Sequence, residues 1–126
     1  MIQLLSIAAG GAVGALLRFW FSSGAHYLLG KGFPYGTLLV NVLGSFIIGV
    51  VYVLIIEKGQ LSEDWRAFLI IGSLGAFTTF STFSLETINL IEAGEMLKAG
   101  LNILLSVSLC LAACWSAILL MRQTNL

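Results

Sequence analysis

A chain of 126 residues that is 59% hydrophobic, with a mean hydropathy of +1.02 and only 10% charged side chains, lacks the polar surface that a water-soluble domain needs. Six Lys and Arg balance six Asp and Glu, which excludes the basic face of a nucleic-acid-binding protein. Apolar runs that cross a bilayer take roughly 20 residues each, so residues 1–126 are expected to form a single transmembrane domain of four helices with short connections.

The first run extends from about Ile2 to beyond Trp20, with Arg18 near its end. It lacks the positive n-region and cleavage signal of a secretory leader and is expected to be a retained helix. A polar, turn-prone stretch from Ser22 to Gly36 follows, containing His26, Lys31 and the only proline, Pro34. The second run covers about Gly36 to Ile56 and stops at Glu57-Lys58-Gly59-Gln60. Ser62-Glu63-Asp64 then gives a capping hydroxyl followed by acids, a helix-start signal, for a third run from near Trp65 to about Leu90. After Glu92-Ala93-Gly94-Glu95 a fourth run reaches from about Met96 to Met121. Trp20, Tyr27, Tyr35 and Trp65 fall near segment ends, where amphipathic rings favour the membrane interface. Cys110 and Cys114 lie within the fourth run and read as buried, reduced thiols.

Positive charge is distributed evenly. Lys58, Arg66 and Arg122 fall on one side of a four-helix chain and Arg18, Lys31 and Lys98 on the other, three against three. Because Lys and Arg asymmetry in short loops sets orientation, this chain is expected to insert both ways, which makes an antiparallel homodimer natural. Gly10-Gly11 with Gly14, Gly44-Ser45 with Gly49, and Gly72 with Gly75-Ala76 read mainly as close helix packing. No internal repeat is visible, so any symmetry is expected to come from association of chains.

Packing does not explain the stretch from Gly72 to Glu86. Five of the seven residues from Thr78 to Ser84 carry hydroxyls, and Glu86 follows, all at membrane depth. Two glycines and this hydroxyl run predict a break in the third helix, and irregular backbone at that depth must be buried in protein or line a cavity. Beyond the break Phe80 and Phe83 are neighbours on one face, with Thr79, Thr82 and Glu86 on an adjoining stripe. Such an aromatic pair is ordinarily packing; among hydroxyls, its positive ring edges suit a small anion. Asn41, alone in an apolar helix, offers two donors and an acceptor, where the plainer reading is interhelical glue. Asn102, Ser106, Cys110 and Cys114 form an i+4 stripe. Arg18 either snorkels to the interface or supplies an electropositive funnel.

These residues resemble the CrcB/Fluc fluoride channels across essentially the whole chain. The similarity runs through Gly10-Gly11-Ala12-Val13-Gly14-Ala15-Leu16-Leu17-Arg18, Gly36-Thr37-Leu38-Leu39-Val40-Asn41 with Gly44, and the specific motif from Gly75 to Ser84 with Glu86. The resemblance implies an all-α membrane protein with a broken third helix, assembled as an antiparallel, dual-topology homodimer in the inner (plasma) membrane. It implies two fluoride pathways and one structural sodium ion where the two breaks cross. On this resemblance Phe80 and Phe83 line the pathway with ring edges, Asn41 donates to the anion, and Ser81, Thr82 and Ser84 belong to the surrounding hydroxyl region. Glu86 and Ser106 are expected along the pathway too, though the fourth helix, with Asn102, Ser106, Cys110 and Cys114, departs from the hydroxyl or tyrosine track of the family. Arg18 matches the arginine near the aqueous entrance, and the backbone carbonyls of Gly75 and Thr78 match the sodium ligands. Passive conduction fits the substrate, since an inside-negative potential drives an anion outward by about 2.3 kcal/mol per 100 mV.

The main rival is a small dual-topology multidrug antiporter, which needs a membrane-embedded acid; Glu86 is the only candidate, and none precedes Arg18 in the first helix. A subunit of a larger membrane complex would account for the glycines but not for the hydroxyl run. No nucleophile, base and orienting group assemble into an enzyme site.

Overall fold

The computed structural model describes residues 1–124. Its four long helical spans are Ile2–Leu29, Tyr35–Glu57, Glu63–Glu92 and Met96–Arg122, each long and apolar enough to cross a membrane. Together with the comparisons below, they make this a multi-pass membrane protein.

The first helix runs to Leu29, further than the polar residues after Trp20 suggested, so Arg18 lies well inside it rather than near its end as expected from sequence. Ser22 and His26 are half-buried against neighbouring elements rather than marking a turn. The chain is released only at Gly30, at φ 84°, a left-handed conformation that glycine adopts without penalty, and its N–H donates to the His26 carbonyl. The second span is α-helical over Tyr35–Val51 and continues in wider π turns over Tyr52–Glu57. The third begins after Ser62, whose hydroxyl accepts from the Trp65 N–H at 3.5 Å. It runs as Glu63–Arg66, π-wound Ala67–Leu74 and Gly75–Phe77. Thr78 and Thr79 are extended, and helix resumes over Phe80–Glu92. The fourth helix, Met96–Arg122, is continuous.

Backbone contact holds this arrangement. A Cβ at Gly10 or Gly14 would collide with the carbonyls of Phe68 and Ser73, and one at Gly72 would stand 2.7 Å from the Ile7 carbonyl. The first helix therefore packs main chain to main chain on the N-terminal arm of the third span. Similarly, a Cβ at Gly49 would stand 2.7 Å from the Cys114 carbonyl, so the second helix closes on the fourth there. At one end of the bundle Lys58 Nζ donates to the carbonyls of Met121 (3.1 Å) and Thr124 (2.9 Å). Beside it Arg122 forms a two-point pair with Glu57, 3.0 and 2.7 Å. This clamp puts the second loop and the C-terminal end of the fourth helix on the same side. A lysine there also satisfies carbonyls that the helix end leaves open.

Candidate functional site

The break at Thr78–Thr79 is a local consequence of hydroxyl chemistry. Thr78 Oγ1 donates to the Leu74 carbonyl at 2.9 Å, closing the N-terminal arm on itself. Thr79 then turns to φ −152°, ψ 119° and caps the next helix, its Oγ1 accepting from the Thr82 N–H at 3.2 Å. The same hydroxyl donates to Thr82 Oγ1 at 3.1 Å and lies 3.3 Å from Ser81 Oγ.

A second element stabilises the opening. Asn41 Oδ1 accepts from the Thr79 N–H at 2.8 Å, and Asn41 Nδ2 donates to the Thr79 carbonyl at 3.0 Å. A side-chain amide thus stands in for a backbone partner and satisfies both peptide groups that the extended residue would otherwise orphan. Gly44, one turn further along the second helix, makes room for this approach, because a Cβ there would collide with the Thr78 methyl group. Phe77 closes the upstream side by meeting Phe21 of the first helix edge-on, centroids 5.8 Å apart at 89°.

These bonds redirect two amides. The Thr79 N–H, which in a continuous helix would donate to the Gly75 carbonyl, goes to Asn41. The Thr82 N–H, which would donate to the Thr78 carbonyl, goes to the Thr79 hydroxyl. The carbonyls of residues 75–78, those of Gly75 and Thr78 among them, thus lose their i+4 donors at the break.

Two cavities flank Thr79, which lines both. The larger, about 450 Å³, is lined by Asn41, Gly75, Thr78, Phe80, Phe83 and Ser106, and by Cys110 beyond them. Phe80 and Phe83 stand with ring centroids 5.3 Å apart, tilted at 43°. Phe83 is 9% exposed and Phe80 77%, so one ring is built into the chain and the other projects from it. Ser106 donates to Asn102 Oδ1 at 3.4 Å, Asn102 Nδ2 donates to Thr87 Oγ1 at 2.9 Å, and Thr87 donates to the Phe83 carbonyl at 2.8 Å. This relay fastens the fourth helix to the backbone of the phenylalanine turn. Sequence reasoning left Thr87 out; its i+4 spacing from Phe83 was the available signal, but the partnership with Asn102 is formed only through space. Ser84 donates to the Phe80 carbonyl at 2.9 Å, so that hydroxyl is held against its own helix.

The smaller cavity, about 280 Å³, brings together Arg18, His26, Thr37, Thr82 and Glu86. Oε1 of Glu86 is buried without a hydrogen-bond partner among the described residues. The sequence candidates thus divide into two connected groups: Asn41, Phe80, Phe83 and Ser106 on one side of Thr79, Arg18, Thr82 and Glu86 on the other. Ser81 and Ser84 line neither cavity.

Residues 5–118 match the family described as "CrcB-like protein, Camphor Resistance (CrcB)". The chain is 54% identical over 122 residues to a fluoride-specific ion channel FluC of Methylococcus capsulatus, covering 97% of this chain and 54% of that relative. It is 47% identical to a protein of the same name from Geobacter sulfurreducens, covering 98% of this chain and 99% of the relative. A third, from Shewanella amazonensis, is 53% identical over 88% of this chain and 89% of the relative. The chain therefore spans about half of the first of these proteins and nearly all of the second.

Proposed function

The chain belongs to the CrcB-like family, and from that membership we propose that it is a passive fluoride channel that exports cytoplasmic fluoride across the inner (plasma) membrane. Relatives that bear the name fluoride-specific ion channel support this reading, as does their being channels rather than enzymes. The observation that carries it to particular residues is the opening at Thr78–Thr79, spanned by Asn41 and flanked by the Phe80–Phe83 pair. Fluoride is strongly hydrated, and leaving water requires replacement donors. Ring edges carry the positive end of the aromatic quadrupole, and after its two bonds to Thr79 the Asn41 amide retains one free N–H. Arg18 would draw the anion toward the mouth, with Thr82 along the wall. Ser81 and Ser84 extend the hydroxyl region, Ser106 lines the far cavity, and Glu86 sets the charge of the near one.

The functional unit in this reading is an antiparallel homodimer with two pathways. Its support is the 77% exposure of Phe80 in the isolated chain, which leaves a pathway wall open to lipid unless a second copy covers it. A structural sodium ion would be held by the Gly75 and Thr78 carbonyls of both copies. The donor set fits, because both carbonyls are among those the break leaves without an i+4 amide, and hard cations prefer oxygen ligands. When bound, the ion would neutralise converging carbonyl dipoles and tie the two breaks together.

Fluoride efflux from liposomes containing the purified protein tests the reading, with chloride efflux as control. Wild-type protein is expected to release fluoride and retain chloride. Phe80→Ile and Phe83→Ile keep apolar bulk but remove the ring edge, and each is expected to lower fluoride efflux by at least about tenfold, equivalent to ~1.4 kcal/mol of barrier. Wild-type rates from folded dimers of both variants would remove the rings from the pathway.

A further inference from the structure

The charged groups lining the smaller cavity are Arg18 and Glu86, whose formal charges offset one another, and the remaining ionisable side chain is His26. The imidazole lies in the last turn of the first helix. Its place is made by Gly36: a Cβ there would stand 3.0 Å from His26 Nε2 and 2.9 Å from the Ser22 carbonyl. The ring is therefore lodged between two helices, half-buried, in a cavity also lined by Thr79 and Thr82 of the break.

The elements around it carry few titratable groups. The second helix presents Gly36 and Thr37, the Phe80–Glu92 helix presents Glu86, and the first helix itself presents Arg18 two turns back. Imidazole is the ordinary side chain that changes charge between pH 5 and 8. By formal charge Arg18 and Glu86 cancel, so a proton on His26 would add one net positive charge to the cavity. A cationic cleft with low-dielectric walls concentrates anions and speeds their arrival, and salt weakens the effect.

We propose that His26 is an anion-recruiting residue at the mouth of the pathway, and that its protonation increases fluoride capture as pH falls on the side the cavity faces. This rests on the fluoride-channel reading and adds to it a residue and a pH dependence.

Two measurements test it. His26 is the only histidine in the chain, so carbethoxylation by diethyl pyrocarbonate, after removal of any affinity tag, reports on this ring alone. An anion beside the ring both shields it and favours its unreactive, protonated form. Sodium fluoride is therefore expected to slow the reaction relative to sodium gluconate at equal ionic strength, and equal rates in the two salts overturn the proposal whether or not the protein conducts.

The second measurement is initial fluoride efflux between about pH 5 and 8, with the leak from protein-free vesicles subtracted. Wild-type efflux is expected to rise severalfold toward acid, less so at high ionic strength. His26→Gln should be flat at the wild-type alkaline rate, and His26→Lys flat near its acid rate. A His26→Gln profile that tracks the wild type overturns the proposal and leaves the channel reading intact. A wild-type protein that releases no fluoride at any pH overturns the channel reading instead, and protection of His26 by fluoride would then still support an anion site at the ring.

Discussion

Asn41 holds the centre of this site from 38 residues away in sequence, meeting the Thr79 N–H at 2.8 Å and the Thr79 carbonyl at 3.0 Å. This brace and the proposed donation to an anion make different demands, and one substitution separates them. Asn41→Asp keeps an oxygen for the Thr79 N–H but loses the donor to the Thr79 carbonyl and adds negative charge to the cavity. Setting a carboxylate oxygen against the Thr79 carbonyl costs more than the ~1 kcal/mol of one net hydrogen bond, so the fold of the variant is checked before its transport. The repulsion acts directly on fluoride, and efflux is expected to fall by about a hundredfold or more, ~2.7 kcal/mol. Size-exclusion chromatography checks the fold and liposome efflux the transport; unchanged transport by a folded Asn41→Asp protein would leave Asn41 as a brace alone. The sequence pointed to this residue, because an amide in an apolar helix demands a partner. It did not identify the partner, since the pairing depends on where the extended backbone of another span comes to rest.

Among the helices, small residues do not all serve the same purpose, and the structure separates them. Gly10 and Gly14 lie against the backbone of the third span, whereas a Cβ on Gly11 meets nothing within 4 Å. Gly14→Leu must push the first helix off the Phe68–Ser73 backbone, and overpacking of this kind typically costs about 1–3 kcal/mol. Gly11→Leu, three residues away, is expected to be neutral in the single chain. Thermal stability in detergent, read as the midpoint for loss of the monodisperse chromatographic peak, should fall for Gly14→Leu and not for Gly11→Leu; equal stability of the two would remove close backbone packing as the reason for Gly14. The sequence carried the spans themselves well, because four apolar runs separated by Gly, Pro and charge admit few other readings. Helix ends were less legible. Ser22 and His26 look like turn residues in sequence, yet they continue the first helix because a neighbouring span and a cavity accept them. The π turns at Tyr52–Glu57 and Ala67–Leu74 left no compositional mark, since both segments are mainly apolar.

For the whole molecule, the decisive question is what covers the face that a single chain leaves open. The Lys58 clamp and the Glu57–Arg122 pair gather one set of charges at one end. At the other end Lys98 lies close to Gly32, beside Lys31. Arg66 lies at the start of the third span, at the first of these ends, while Arg18 lies inside the Ile2–Leu29 helix, nearer to the second; counted that way positive charge is three against three, without the bias that orients most membrane proteins. A single copy leaves Phe80, a wall of the larger cavity, 77% exposed, and the ionisable Arg18 and Glu86 of the smaller cavity are expensive to expose to lipid. A second copy related by a two-fold axis in the membrane plane would cover both and bring the two breaks together. Three lysines appended after the last residue should bias insertion toward one orientation, and lysines added beside Lys31 toward the other. Each biased chain alone is expected to lose most fluoride efflux, while coexpression of the two restores it, because only the mixture can assemble opposed partners. Orientation is verified by protease accessibility of the loops before transport is measured. Full activity from a population verified to hold one orientation would rule out antiparallel assembly and require a parallel partner to cover Phe80.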